Sequence, residues 1–105
     1  MRIKMLTREN FSNWLSNYSD KSNVGGDYGC PVHKFLKDHY APVDEVLTGY
    51  TPENDVLVGT VIYEDGREFE LPNWATRFID ETDRLNKARV TAKDARKVLD
   101  RVLSE

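Results

Sequence analysis

Cys30 stands between Gly29 and Pro31, three residues ahead of His33. A thiol at a helix start is exposed to the positive end of the helix dipole, which lowers its pKa and favours the nucleophilic thiolate. A histidine one helical turn on is in reach as a base, and a carboxylate such as Asp27 could orient it, which would complete a thiol-dependent enzyme. The simpler reading of the same residues is packing, because cysteine is among the most buried residue types. The same Cys-x-x-His spacing is half of a zinc site, but a structural zinc needs four ligands and the chain holds no second cysteine. His39 and a carboxylate would have to complete it at spacings of no standard site. The residues therefore predict neither a metal nor a catalytic centre, and no cofactor.

Residues 25–29, Gly-Gly-Asp-Tyr-Gly, precede that helix start and could turn backbone N–H groups toward a phosphate. They lack the Gly-Lys-Ser/Thr ending of a P-loop, and Asp27 would repel an anion, so turn-forming glycine is the expectation. Paired carboxylates such as Asp44-Glu45 and Glu68 with Glu70 have no base, nucleophile or metal ligand beside them. Near the C-terminus Lys93, Arg96, Lys97 and Arg101 follow Arg89, and residues 84–90 form a basic joint between two predicted helices. A helix-turn-helix DNA reader is one account. Mixed signs on an exposed face, paired as Asp80–Arg84 and Asp94–Lys97, are the plainer one, so nucleic acid is not the expected partner.

These residues depend on the elements that carry them. Phe11, Trp14, Leu15 and Tyr18 follow the spacing of one helical stripe, and Thr7 is a good N-cap, which predicts a helix over 8–18. A polar loop follows. Pro31 opens a second helix carrying Val32, Phe35, Leu36 and Tyr40, which Ala41-Pro42 ends. The period then changes to that of strands: Val43–Tyr50, a turn over 51–55, and a branched, aromatic run over 56–63. Asp65-Gly66 reads as a two-residue hairpin loop. That loop places Tyr63 opposite Glu68, Ile62 opposite Phe69, Val61 opposite Glu70 and Thr60 opposite Leu71. The core side would then hold Val58, Thr60, Ile62, Phe69 and Leu71. The outer side would hold Leu57, Val61, Tyr63, Glu68 and Glu70.

After Pro72, Asn73 is the expected cap of a third helix with Trp74, Ala75, Phe78, Ile79 and Leu85, and Thr91 with Asp94 caps a fourth. Trp14 and Trp74 are the expected anchors of the packing. The order is two helices, a three-stranded antiparallel meander and two helices packed on one sheet face, an α+β fold in one domain over residues 1–105.

The chain has 105 residues, 39% hydrophobic and 31% charged, which suits one globular domain. It holds no apolar run near the length that crosses a bilayer and no secretory leader, and a lone cysteine fits a reducing compartment, so a cytoplasmic protein without membrane contact is expected. Net charge is −3, unevenly spread. Residues 1–39 carry six basic and four acidic side chains, residues 40–75 one basic and eight acidic, and residues 76–105 eight basic and six acidic. The acid thus gathers on the strands, where the plainer reading is a solvated sheet face and the sharper one a docking surface for a basic partner.

Three segments, Cys30-Pro-Val-x-x-Phe-Leu36, Leu71-Pro-x-Trp-x-x-x-Phe-Ile-Asp80 and Val90-Thr-Ala-x-x-Ala-x-x-Val-Leu99, together resemble a group of small, mostly uncharacterised proteins of phages and bacterial genomes. The likeness spans residues 7–103 and implies a phage or mobile-element setting, without an activity or site residues. Small phage proteins often bind a host protein, inhibitors of host defence such as anti-CRISPR proteins among them. The expectation is therefore a non-enzymatic interaction module. Leu57, Val61 and Tyr63 would be the apolar centre of its contact face and Glu68 and Glu70 the rim. Its partner would be a protein, or a second copy in a homodimer.

Overall fold

The computed structural model describes residues 6–26, 30–39 and 43–104. It is an α+β fold of four helices and five strands among those residues. Helix α1 (Arg8–Ser16) starts at Thr7, whose hydroxyl accepts the Asn10 N–H at 3.1 Å. Strand β1 (Asn23–Gly26) follows, then α2 (Pro31–His39), β2 (Val43–Tyr50), β3 (Leu57–Tyr63) and β4 (Glu68–Glu70). Helix α3 (Asn73–Asp83), strand β5 (Arg89–Thr91) and helix α4 (Ala92–Leu103) complete the order. Thr91 caps α4 as its spacing predicts, accepting the Asp94 N–H at 3.2 Å. Asn73 is not a cap. It is the first residue of α3, Pro72 precedes it, and no side chain caps that end.

Two strands escape the sequence reading. β1 and β5 pair antiparallel in a sheet of their own, with Gly26 opposite Arg89 and Gly25 opposite Val90. Gly25 and Gly26, read as turn-forming glycine, and Arg89 and Val90, read as the end of a basic joint, thus pair in one ladder. Gly25 is needed there for space: a Cβ on it would stand 2.8 Å from Cδ of Pro31, so the strand lies directly on the start of α2.

β2, β3 and β4 form the expected antiparallel meander. Its hairpin register differs by one residue from the expectation. The Tyr63 N–H donates to the Arg67 carbonyl at 2.9 Å and the Gly66 N–H to the Tyr63 carbonyl at 2.9 Å, so the loop is Glu64-Asp65-Gly66. Gly66 has φ +90°, the left-handed conformation that follows a type I turn in three-residue hairpins. Asp65 fixes the turn by accepting the Arg67 N–H at 3.0 Å, which holds its carboxyl below the usual range. One extra loop residue reverses every β3 side chain relative to β4. Thr60 pairs with Glu70, Val61 with Phe69 and Ile62 with Glu68.

Val61 and Tyr63, expected outside, are therefore core residues at 0% and 9% exposure, while Val58, Thr60 and Ile62, expected inside, lie on the outer side, half-buried. Phe69 and Leu71 do face inward. Helix α3 lies on that inner side so closely that a Cβ on Gly59 would meet Thr76 Oγ1 at 2.5 Å. The last helix does not share this layer as expected. α4 packs chiefly on α3 and α1, while α3 and α2 are the helices that pack against the sheet, on β3 and β2.

The core runs continuously from Leu6 to Val102. Its hub is Phe11 rather than the tryptophans, with ring centroids 5.5 Å from Phe35 and 5.2 Å from Phe78. Trp14 and Trp74 pack on that hub from its rim, partly exposed, at 5.6 and 5.7 Å. Trp14 keeps its indole N–H wet enough to donate to Asp38 at 3.1 Å. No helix among the described residues is long and apolar enough to cross a membrane.

Candidate functional site

Two concave surfaces bring chemically distinct residues together. The first, of about 340 Å³, is bounded by Asn23, Val24 and Gly25 of β1, by Cys30, and by His33, Lys34, Lys37 and Asp38 of α2. It does bring Cys30 and His33 to one place, as their spacing predicts. The contact between them is structural. Cys30 occupies the N-cap position of α2: its Sγ accepts the His33 backbone N–H at 3.3 Å and its carbonyl accepts the Lys34 N–H at 3.1 Å. The sulfur thus does what a serine oxygen does at this position.

Electrostatics oppose activation of the pair. Burial pushes the Cys30 thiol up to about 11, outweighing the His33 N–H that stabilises the anion, and the nearby Asp83 carboxylate adds to the rise. Burial also lowers the His33 imidazole below its ordinary value, with the Lys37 ammonium adding to the effect. A thiolate–imidazolium pair requires both shifts reversed. His33 Nε2 is buried with no hydrogen-bond partner. Asp27, the expected third member, lies outside the described residues. His39 is turned back on its own helix, donating from Nδ1 to the Phe35 carbonyl at 2.8 Å, with its ring 4.4 Å from that phenylalanine. Among the described residues, no three His, Cys, Asp or Glu side chains converge as metal ligands.

Of the basic residues of the C-terminal third, Arg84, Lys87, Arg96 and Arg101 make intramolecular ion pairs, and all of these but Arg96 lie at the exposed surface. Arg96 donates to the carbonyls of Leu15 and Tyr18 at 3.3 and 3.0 Å and pairs with Asp20, which closes the open end of α1. Arg101 pairs with Glu81 at 3.1 Å and Arg84 with Asp80 at 3.2 Å, the latter as expected. Asp94 pairs with Lys87 at 3.1 Å rather than with Lys97. The Lys87 ammonium holds the Asp94 carboxyl below its usual range.

The second surface is the outer side of the three-stranded sheet. A depression of about 410 Å³ there is bordered by Leu47, Gly49, Val58, Thr60, Ile62 and Glu68. Antiparallel pairing sets Glu45, Ile62 and Glu68 in one row across the strands, and Leu47, Thr60 and Glu70 in the next. The result is an apolar centre between carboxylates, with Leu47 50% exposed. Of the five residues expected on a contact face, Glu68 and Glu70 stand here, exposed. Leu57 lies half-buried on the inner side, and Val61 and Tyr63 are in the core. Leu47, Val58, Ile62 and Glu45 are the residues that sequence reasoning missed. The signal available was the three-residue alternative for the loop around Gly66, which exchanges the two sides of β3.

Comparisons with protein families, with curated proteins and with solved structures found no match for this chain.

Proposed function

We propose that this chain is a protein-binding module that works through the outer side of its β2–β3–β4 sheet. The observation that carries the reading is the juxtaposition of Leu47, Val58 and Ile62 with Glu45, Glu68 and Glu70 on a sheet side whose residues are exposed or half-buried. An apolar centre with a charged rim is the anatomy of a protein interface. The charge selects the partner's chemistry. Across residues 40–75 one basic side chain stands against eight acidic ones, so the favoured partner presents a basic patch around an apolar one. The neutral thiol and neutral imidazole of the α2 cleft favour binding over thiol chemistry. If the resemblance to small phage proteins holds, a host protein is the class of partner to test first.

The variant Leu47→Ser/Glu68→Lys/Glu70→Lys replaces only exposed side chains, so its melting temperature should stay within a few degrees of the parent. Immobilised parent protein should capture a basic partner that this variant loses, with capture weakening as salt rises. Capture that survives the triple change, in a variant shown to be folded, would refute the reading. A concentration-dependent dimer that the same changes dissociate would replace the foreign partner with a second copy.

A further inference from the structure

The two edges of the three-stranded sheet are finished differently. β4 is three residues long, and beside it Arg67, ion-paired to Asp65 at 2.7 Å, lies over the Tyr63 and Phe69 rings at 5.1 and 5.9 Å. β2 is eight residues long and contains neither lysine nor proline. Its free backbone groups follow from the register. The Thr51 N–H donates to the Val56 carbonyl at 2.8 Å, so the bonded pairs of the ladder are Gly49–Val58, Leu47–Thr60 and Glu45–Ile62. The N–H and C=O groups of Val46, Thr48 and Tyr50 then point away from β3, and no hydrogen bond from another described element reaches them. Leu47 and Tyr50, on opposite sides of this strand, are 50% and 53% exposed.

An open strand of this length is a template for another strand, and folded proteins normally guard one with lysine, proline or a covering element. Helix α2 lies against β2, with His33 in electrostatic reach of Asp44 and Glu45, and along the strand itself the guard is acidic: Asp44 and Glu45 lie on it and Glu53 and Asp55 in the turn that follows. Acidic guards repel a second copy of the same edge and admit a strand of opposite charge. We propose that β2 accepts an extended basic segment of a partner protein as an added strand. Its backbone pairs with Val46, Thr48 and Tyr50, an apolar side chain lies beside Leu47, and a cation two residues along on the same side meets Glu45. This rests on the outer-side reading above and supplies the form of the partner: an extended strand rather than a folded patch.

The probe is a capped nonapeptide of repeating Lys-Thr-Val-Thr, which sets lysine and valine two residues apart on one side, with two controls: glutamate in place of lysine, and N-methylation of every backbone nitrogen. Saturating lysine peptide should slow amide exchange at Val46, Thr48 and Tyr50 at least tenfold, and neither control should. Thr48→Pro removes an N–H that the internal ladder does not use, so it should keep the fold while weakening peptide binding at least tenfold. No peptide binding at millimolar concentration and low salt would overturn the proposal. So would equal protection by the N-methylated peptide, which needs no variant to fold. The two readings fail separately. Partner capture lost in the Leu47/Glu68/Glu70 variant but kept in folded Thr48→Pro removes the added strand and leaves the sheet side in place. Edge protection by the lysine peptide with capture unaffected by the triple variant does the reverse.

Discussion

β3 presents two sides built from one seven-residue run, and their fates are opposite. Gly59, Val61 and Tyr63 turn inward and are buried, while Val58, Thr60 and Ile62, no less β-prone, turn outward and stay half-open. Hydrophobicity does not separate these sets. What separates them is the hairpin: a loop of three residues rather than two puts Phe69 beside Val61 and Glu68 beside Ile62. A turn can therefore decide which of two apolar sides becomes core and which remains available to another molecule.

The contrast breaks most visibly under an added charge. Val61→Lys places an ammonium at a site with no exposure, among Val46 and Phe69, with no carboxylate across the strand. An unpaired buried charge costs several kcal/mol, about the whole stability of a small domain, so this variant should not fold. Ile62→Lys sits between Glu45 and Glu68 in its row, and should change stability by less than about 1 kcal/mol. Urea denaturation of the two variants measures the difference. Equal losses would mean that the sides are not distinguished as described.

A smaller effect separates two glycines. A Cβ at Gly59 would stand 2.5 Å from Thr76 Oγ1 and 2.8 Å from Leu71 Cδ1, both side chains of buried residues, so Gly59→Ala should cost about 1–3 kcal/mol by overpacking. Gly49 faces open space, and Gly49→Ala should be neutral or gain a few tenths of a kcal/mol from a stiffer unfolded chain. Thermal melts of both variants decide this. A Gly59→Ala protein as stable as its parent would show that α3 can move off the sheet.

Much of this architecture can be read from residue order. Thr7, Pro31 and Thr91 mark three helix starts because capping is local chemistry, and the length of β2 follows from its flanking Pro42 and the turn after Tyr50. The β1–β5 ladder is not legible, because Asn23–Gly26 has no periodic pattern and its partner lies more than sixty positions away. The two sides of β3 are exchanged in a reading from sequence for a related reason. Asp65-Gly66 fits both a two-residue loop and the end of a three-residue one, and only the packing of Tyr63 and Val61 under α3 chooses. Cys30 and His33 could be placed together from spacing, but a thiol's charge state depends on the burial that tertiary structure supplies.

Cys30 belongs to neither sheet side and tests whether burial alone sets its chemistry. Its thiol is held up to about 11 against an ordinary value of 9.0, so between those pH values the unfolded chain releases a proton that the folded chain retains. Fewer protons bound in the unfolded state means that stability falls as pH rises above 9, and the fall ends only beyond 11. At pH 10 the loss should be about 1 kcal/mol relative to pH 8, after subtraction of the same difference for Cys30→Ser. Serine is the right reference, because its hydroxyl can accept the same His33 N–H and keep the cap while titrating nowhere in this range. Alkylation should agree, with folded protein at pH 8 reacting with iodoacetamide far more slowly than denatured protein. Rapid modification at pH 7, with an alkaline stability curve matching that of Cys30→Ser, would place the thiolate within reach of solvent and reopen the α2 cleft as a site of thiol chemistry.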